Sequence, residues 1–301
     1  MSEGTAGRGS LFIDKISFTL PALNSTTQHH IIDQLQAATF AGGLESIPFS
    51  ELLKNYLSAW TLPLRNGSRM TIQAMPRRRS SNFLRVEFNP RRASWYGVEP
   101  MVELARILAP AFTNFAECLI HANVTRIDFA VDLLNVPIEE LLIFHTTHAT
   151  KSRVFEANGK VTGYYVGSRE SNRYAVMYDK VAQLRSQGSR AHRGIRTRLE
   201  LRCANVGSFT TIASMPNPFE AFQLARIGGT CNQDSTWPLF LDSCRFRGAQ
   251  AALTQITDKQ KRAAYRQALI LENRPIWWQP EELWDERGHA INRLLSLVEQ
   301  E

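Results

Sequence analysis

Several things are missing from this sequence, and each absence removes a class of protein. No apolar run approaches the ~20 residues that a membrane helix needs. The opening stretch MSEGTAGRGS is small and polar, and no apolar segment of the signal-peptide kind follows it, so a cytoplasmic protein is expected. The four cysteines, Cys118, Cys203, Cys231 and Cys244, show no C-x-x-C spacing. That argues against a zinc site and, in a reducing compartment, against a disulfide framework; they read as small buried or incidental residues. Acidic residues are also short: 28 Asp and Glu face 35 Lys and Arg, for a formal charge of +7 and a pI of about 9.4. A basic excess favours an anionic partner, of which nucleic acid is the commonest. What remains is an ordinary globular composition, 44% hydrophobic and 21% charged over 301 residues. A chain of that length can bury one large core or two smaller ones.

Residues 1–10 read as a loose tail. A strand is expected from Leu11 to Leu20, ending at Pro21, followed by helices at about 27–39 and 49–59. Two β-rich runs, Arg69–Met75 and Asn82–Asn89, flank the basic connector PRRRSS. Apolar residues at Met101, Leu104, Ala105, Leu108 and Phe112 have helical spacing and predict a long helix from about Glu99 to Ala122. The second half opens in the same manner. Val124–Leu134 reads as a strand and Pro137 as the start of a short helix, IEELLIFH. Strands follow at about 153–157, 161–167 and 173–179, then at Thr197–Cys203, and a helix at about 217–227. The halves share motifs: Ile13-Asp14 and Ile127-Asp128 each lie in a first strand, and Arg85-Val86-Glu87 returns as Arg198-Leu199-Glu200. Asp14 precedes Glu87 by 73 residues and Asp128 precedes Glu200 by 72. These matches predict an α+β fold, an antiparallel sheet with helices packed on it, built from two repeated strand-helix-hairpin-helix units. The expected divisions are a tail at 1–10, a main domain at 11–232 with halves of about 11–122 and 123–232, and a mostly helical accessory region at 233–301. In that last region Leu283, Trp284, Ile291, Leu294, Leu295 and Val298 would share a helix face, for core packing or for a homodimer contact.

Three segments could carry chemistry. In the strand Arg126–Asp132, side chains alternate, so Asp128 and Asp132 share a face with Ala130. Two carboxylates there need positive charge beside them, either a hard divalent cation or basic residues such as Arg126. In Thr197–Arg202, Arg198, Glu200 and Arg202 share a face, and Glu200 would complete a three-carboxylate site if the strands are neighbours; a solvated charged face is the plain alternative. In Thr162–Lys180, a polar hairpin turn returns through Arg173–Tyr178 and ends at Tyr178-Asp179-Lys180. A tyrosine hydroxyl ionises near pH ~10, so as a nucleophile it needs a metal, a base or nearby cations. Most strand tyrosines merely pack.

Taken in order, R-I-D-x-A-x-D, G-S-R-x-S-x-x-Y-x-x-x-Y-D-K and R-x-E-x-R resemble the replication initiation factor (Rep_trans) family, which includes initiators of rolling-circle plasmids and filamentous phages and is related to conjugative-element relaxases. The opening I-D-K-I-S-F-T-L is similar to that family's first strand, and the resemblance runs from about Ile13 to Cys203. It implies a rolling-circle initiator that nicks and rejoins one DNA strand at an origin, at a single-stranded or cruciform nick site. Tyr178 would attack a phosphodiester, keeping the 5′ phosphate and freeing a 3′ hydroxyl. Asp128, Asp132 and Glu200 would hold Mg2+ or Mn2+. Lys180 and Arg169 would contact phosphate oxygens. Tyr174, on the same strand face, is the rival nucleophile. A host helicase is the partner the family implies. The departures are the lack of a helix-turn-helix before residue 11 and a C-terminal region of ~70 residues that matches nothing in the family. The His-hydrophobic-His metal pair of a different nickase class is absent, since His29 and His30 are adjacent and two threonines separate His145 from His148.

Arg77, Arg78, Arg79, Arg85, Arg91 and Arg92 fall within sixteen residues. Such a cluster, with Arg169 and Arg173, suits DNA phosphates; a solvated hairpin tip is the plain alternative. A mobilisation relaxase would share the chemistry, whereas a DNA-binding regulator on the same fold would lack it.

Overall fold

A computed structural model of the chain describes residues 6–20, 24–48, 55–64, 68–78, 82–91, 100–112, 114–146, 152–168, 171–188, 194–228, 231 and 234–295. Strands β1 (Gly7–Arg8) and β2 (Phe12–Leu20) lead into helix α1 (Ser25–Phe40), then β3 (Glu45–Ser46), β4 (Tyr56–Pro63), β5 (Arg69–Pro76) and β6 (Leu84–Phe88). Helices α2 (Pro100–Leu108) and α3 (Phe115–Ile120) precede β7 (Asn123–Leu134) and β8 (Leu141–His145). Next come β9 (Ser152–Ala157), β10 (Lys160–Val166), β11 (Arg173–Asp179), α4 (Lys180–Ser186) and β12 (Arg196–Ser208). A short helix α5 (Phe209–Ile212) and β13 (Phe222–Arg226) complete the sheet-bearing part. From Trp237 onward the described elements are helical: α6 (Trp237–Arg247), α7 (Ala249–Thr254), α8 (Lys259–Gln267), α9 (Pro280–Asp285) and α10 (Arg287–Leu295). The fold is α+β, with helices on antiparallel sheet, as the alternation of strand and helix patterns implied.

The chain divides into two compact units that are not contiguous in sequence. An N-terminal unit takes Phe12–Phe129, Ala204–Met215 and Arg287–Glu301; a C-terminal unit takes Met1–Leu11, Ala130–Cys203 and Pro216–Glu286. In the N-terminal unit the strand order is β3-β4-β5-β6-β2-β7, and in the C-terminal unit β7-β12-β11-β10-β9, with β1 paired to the end of β7. The Arg-x-Glu segments thus occupy matching places. Arg85 and Glu87 lie on β6, next to β2, and Arg198 and Glu200 lie on β12, next to β7.

Helix α1 begins where the Asn24 side chain accepts the Thr27 N–H at 2.8 Å, an N-cap that satisfies one of the free amides of the first turn. Its inward residues Ile31 and Leu35 are fully buried, as are Ile16, Phe18 and Leu20 of β2 and Ile72, Leu84 and Val86 of β5 and β6. Each such side chain contributes about 1.5–3 kcal/mol by leaving water. In the C-terminal unit β8 and β13 form a separate two-stranded sheet, on which Trp237, Phe240, Leu241, Tyr265 and Leu269 of the late helices form a core with Leu142, Phe144 and Ala225. All four cysteines are free, and Cys203, Cys231 and Cys244 are buried. No helix of the described residues is long and apolar enough to cross a membrane.

Four expected helices differ. Residues 56–59 belong to β4, paired to β5, while 49–54 lie outside the described residues. The long helix stops at Leu108, and Ala109–Ala111 form a 3-10 turn around Pro110, whose missing N–H and ring break the ladder. After Pro137 only Ile138–Glu140 turn, and Leu141–His145 extend as β8 against β13, the segment expected as the 217–227 helix. Short apolar runs fit either state, and here each strand is the other's partner.

Glu87 ties three strands. It accepts from Lys15 at 2.5 Å and from Arg85 at 2.6 Å, and Arg85 also donates to Gln73 at 2.8 Å. Burial alone would raise this carboxyl, but Lys15, Arg85 and Arg126 outweigh burial and hold it below the usual carboxylate range. A depressed folded-state pKa stabilises the fold above the unfolded value and loses that contribution as pH falls through the folded one. Glu87→Gln is therefore expected to lower stability in urea by about 1–2 kcal/mol at neutral pH. The gap to wild type should close as pH falls below about 4.

Candidate active site

In the strand Arg173–Asp179 successive side chains alternate between faces: Ala175 and Met177 point to one, and Tyr174, Val176 and Tyr178 share the other, with both tyrosines part-exposed and Val176 buried between them. On β12, Tyr178 stands opposite Arg198, Val176 opposite Glu200 and Tyr174 opposite Arg202. Directly opposed residues of antiparallel strands project to one face, so the tyrosines and the Arg-x-Glu-x-Arg residues meet there.

The Tyr178 hydroxyl donates to Glu200 Oε1 at 2.5 Å. The other oxygen, Oε2, accepts from Arg202 at 3.3 Å, and Arg202 also donates to the Tyr174 hydroxyl at 2.8 Å. Glu200 is only 4% exposed, so its charge rests on these partners rather than on water. Asp179 explains the middle of Tyr-Asp-Lys. Its side chain accepts the Ala182 N–H at 2.9 Å and caps α4, turning the chain directly after Tyr178. The turn puts Lys180 Nζ 3.5 Å from the Tyr178 hydroxyl and 2.7 Å from Gln183 Oε1. The two tyrosines are thereby distinguished: Tyr178 gives its proton to a carboxylate, while Tyr174 accepts from a guanidinium. Tyr164 faces the other way; it is 2% exposed and burial pushes its hydroxyl up to about 12, which makes it a packing residue.

The three acids expected to hold a metal are each matched by an arginine. Asp132 accepts from Arg198 at 2.7 and 3.2 Å in a buried fork, and Asp128, in the N-terminal unit, accepts from Arg126 at 2.8 and 2.6 Å. Glu200 has Arg202. Among the described residues no three His, Cys, Asp or Glu side chains are grouped to hold a metal ion. Each of the three carboxylates is thus held by a guanidinium.

Of the expected DNA-contacting arginines, Arg77 and Arg78 are exposed beyond β5, and Arg173 is exposed at the start of β11. Arg91 lies with its guanidinium carbon 3.8 Å from the Phe12 ring centroid, a cation–π contact within the N-terminal unit. Arg79, Arg92 and Arg169 lie outside the described residues. One residue at the site, Gln183, carries no motif signal, whereas Arg202 stands on the Glu200 face where its period-two spacing put it.

No protein-family model and no curated protein matches the sequence. Among solved structures it is similar to a rolling circle replication initiator protein from Geobacillus stearothermophilus, with 14% identity and a TM-score of 0.41 over 81% of this chain and 99% of that chain.

The Asp132–Arg198 fork gives a stability test. Both side chains are 7% exposed, so Arg198→Met leaves a buried carboxylate unmatched and should cost about 3–5 kcal/mol in urea denaturation. Adding Asp132→Leu should recover most of that loss, since an apolar pair in place of a buried ion pair is often neutral.

Proposed function

We propose that the chain is a DNA strand nickase and religase that initiates rolling-circle replication, with Tyr178 as nucleophile. The observation that carries this reading is the 2.5 Å hydrogen bond from the Tyr178 hydroxyl to the buried Glu200 carboxylate, with Lys180 Nζ 3.5 Å away. The order of the three motifs supports it independently. A phenol held between a carboxylate and an ammonium has a proton acceptor and a countercharge at hand for attack on phosphorus.

The chemistry follows from the contacts. As the Tyr178 oxygen bonds to phosphorus, its proton passes to Glu200 and the bond from phosphorus to the 3′ oxygen breaks. The 3′ oxygen leaves as a hydroxyl, taking its proton from water, and the 5′ phosphate stays esterified to Tyr178. Lys180 offsets the charge that gathers on the phenolate and phosphoryl oxygens, and Arg202 holds Glu200 in place for the proton. Religation reverses the steps, with Glu200 returning the proton to the tyrosine as the 3′ hydroxyl attacks. Exposed Arg77, Arg78 and Arg173 supply backbone affinity that salt would weaken. A helicase to unwind from the nick, and a homodimer, belong to the same reading.

Magnesium or manganese on Asp128, Asp132 and Glu200, as the family resemblance implies, would require those acids to give up an arginine each. Retained nicking in chelator would leave charge neutralisation to the arginines and Lys180. Loss in chelator with recovery in either ion would mean that DNA entry opens the pairs.

On supercoiled DNA carrying the protein's own replicon, wild type is expected to nick and to leave protein on the 5′ end at Tyr178. Tyr178→Phe should abolish both while binding DNA as before, and Glu200→Gln should slow nicking about 100-fold or more. A mobilisation relaxase would give the same pattern on a transfer origin. DNA that is bound but never cut would support a regulator instead.

A further inference from the structure

The face that carries Tyr178 continues across β10 and β9. Gly163 of β10 stands opposite Tyr178, and Phe155 of β9 stands opposite Gly163. One pair further along, Tyr165 stands opposite Val176, and Arg153 opposite Tyr165. The reverse face of β10 is the packed one, with Tyr164 and Val166 at 2% and 1% exposure. Phe155, by contrast, is 40% exposed, and its ring meets that of Tyr165 edge-on at 4.9 Å. Phe155 lies on the outer strand β9 and Tyr165 on its neighbour β10, so the Phe155 ring packs on one side and keeps its other side in solvent.

Gly163 keeps the space between this pair and the tyrosine low. A Cβ there would lie 3.7 Å from the Tyr178 Cβ and 3.8 Å from the Phe155 ring. Phe155 is two strand spacings, about 10 Å, from Tyr178. The exposed cation Arg153 stands opposite Tyr165, and Lys180 lies at Tyr178 across Gly163, while exposed Glu156, next in sequence, alternates to the other face. A partly exposed aromatic pair with an exposed arginine beside it suits one chemical class well: unpaired nucleobases, which stack on the rings while a phosphate meets the basic side chain.

We infer that Phe155 and Tyr165 form a base-stacking subsite beside the nucleophile, taking an unpaired nucleotide that flanks the scissile phosphate, with Arg153 on the adjoining phosphate. This deepens the nickase reading, on which it rests, by separating the hold on the strand from the cut. A duplex keeps its bases stacked inside and presents only phosphates here, so the subsite selects single-stranded DNA.

The test measures binding without cleavage, by fluorescence anisotropy of a labelled oligothymidylate and of a duplex of equal length, on the full chain carrying Tyr178→Phe. Phe155→Ala should weaken the single strand about 10- to 100-fold and leave the duplex unchanged. Phe155→Leu, which keeps the apolar bulk without a ring face, should lose nearly as much, and Phe155→Trp should bind well with its indole fluorescence quenched by the oligonucleotide. Wild-type affinity in Phe155→Leu, or an equal loss for single strand and duplex, overturns the subsite. Failure of the nickase reading would appear separately, as absence of cutting by the Tyr178 protein while the Phe155 effects persist.

Discussion

A carboxylate buried in mid-strand must be matched where it sits, and the match for Glu200 organises the surface around it. Its strand position fixes which neighbours can reach it. Arg202 is two residues along on the same face, and Tyr178 reaches it from the next strand. With the carboxylate 4% exposed, water cannot replace either partner. The Tyr178 hydroxyl is therefore one of the two groups that stabilise the acid. Asp179 and α4 add the Lys180 ammonium by turning the chain at the next residue.

The same solution recurs along the chain. Arg126 serves Asp128 and Arg85 serves Glu87, each two residues apart in one strand, as Arg202 serves Glu200. A period of two brings i and i+2 side by side, so an Arg-x-acid segment in a strand is a ready-made ion pair. The Arg198–Asp132 fork is different, because its partners come from separate strands and it holds β12 to β7 through a buried, two-bond contact. Within each unit the Arg-x-Glu strand lies beside the opening strand. In the N-terminal unit, however, Glu87 meets Lys15 and Arg85 rather than a tyrosine.

Much of the site was legible because strands impose a strict alternation. From Arg173–Asp179 alone, Tyr174 and Tyr178 fall on one face, and from Thr197–Arg202 the face of Arg198, Glu200 and Arg202 follows. Elements were less legible where apolar runs were short. Leu141–His145 and Phe222–Arg226 each read as helix because nothing local opposes it, and only their mutual pairing makes both strands. The late helices show the same limit. Trp237 announces a core, but that its other wall is Leu142 and Phe144, nearly a hundred residues earlier, is a long-range fact.

Composition and pattern therefore determined the class of fold, the strands that carry the chemistry and the residues on each chemical face. Those properties depend on backbone periodicity, which neighbours in sequence control. Tertiary structure decided the partners: that Glu200 accepts the Tyr178 hydrogen bond, that each acid meets its own arginine, and that Phe155 and Tyr165 extend the same face. Strand order and register set those contacts. They come from the packing of segments far apart in the chain, which no local pattern encodes.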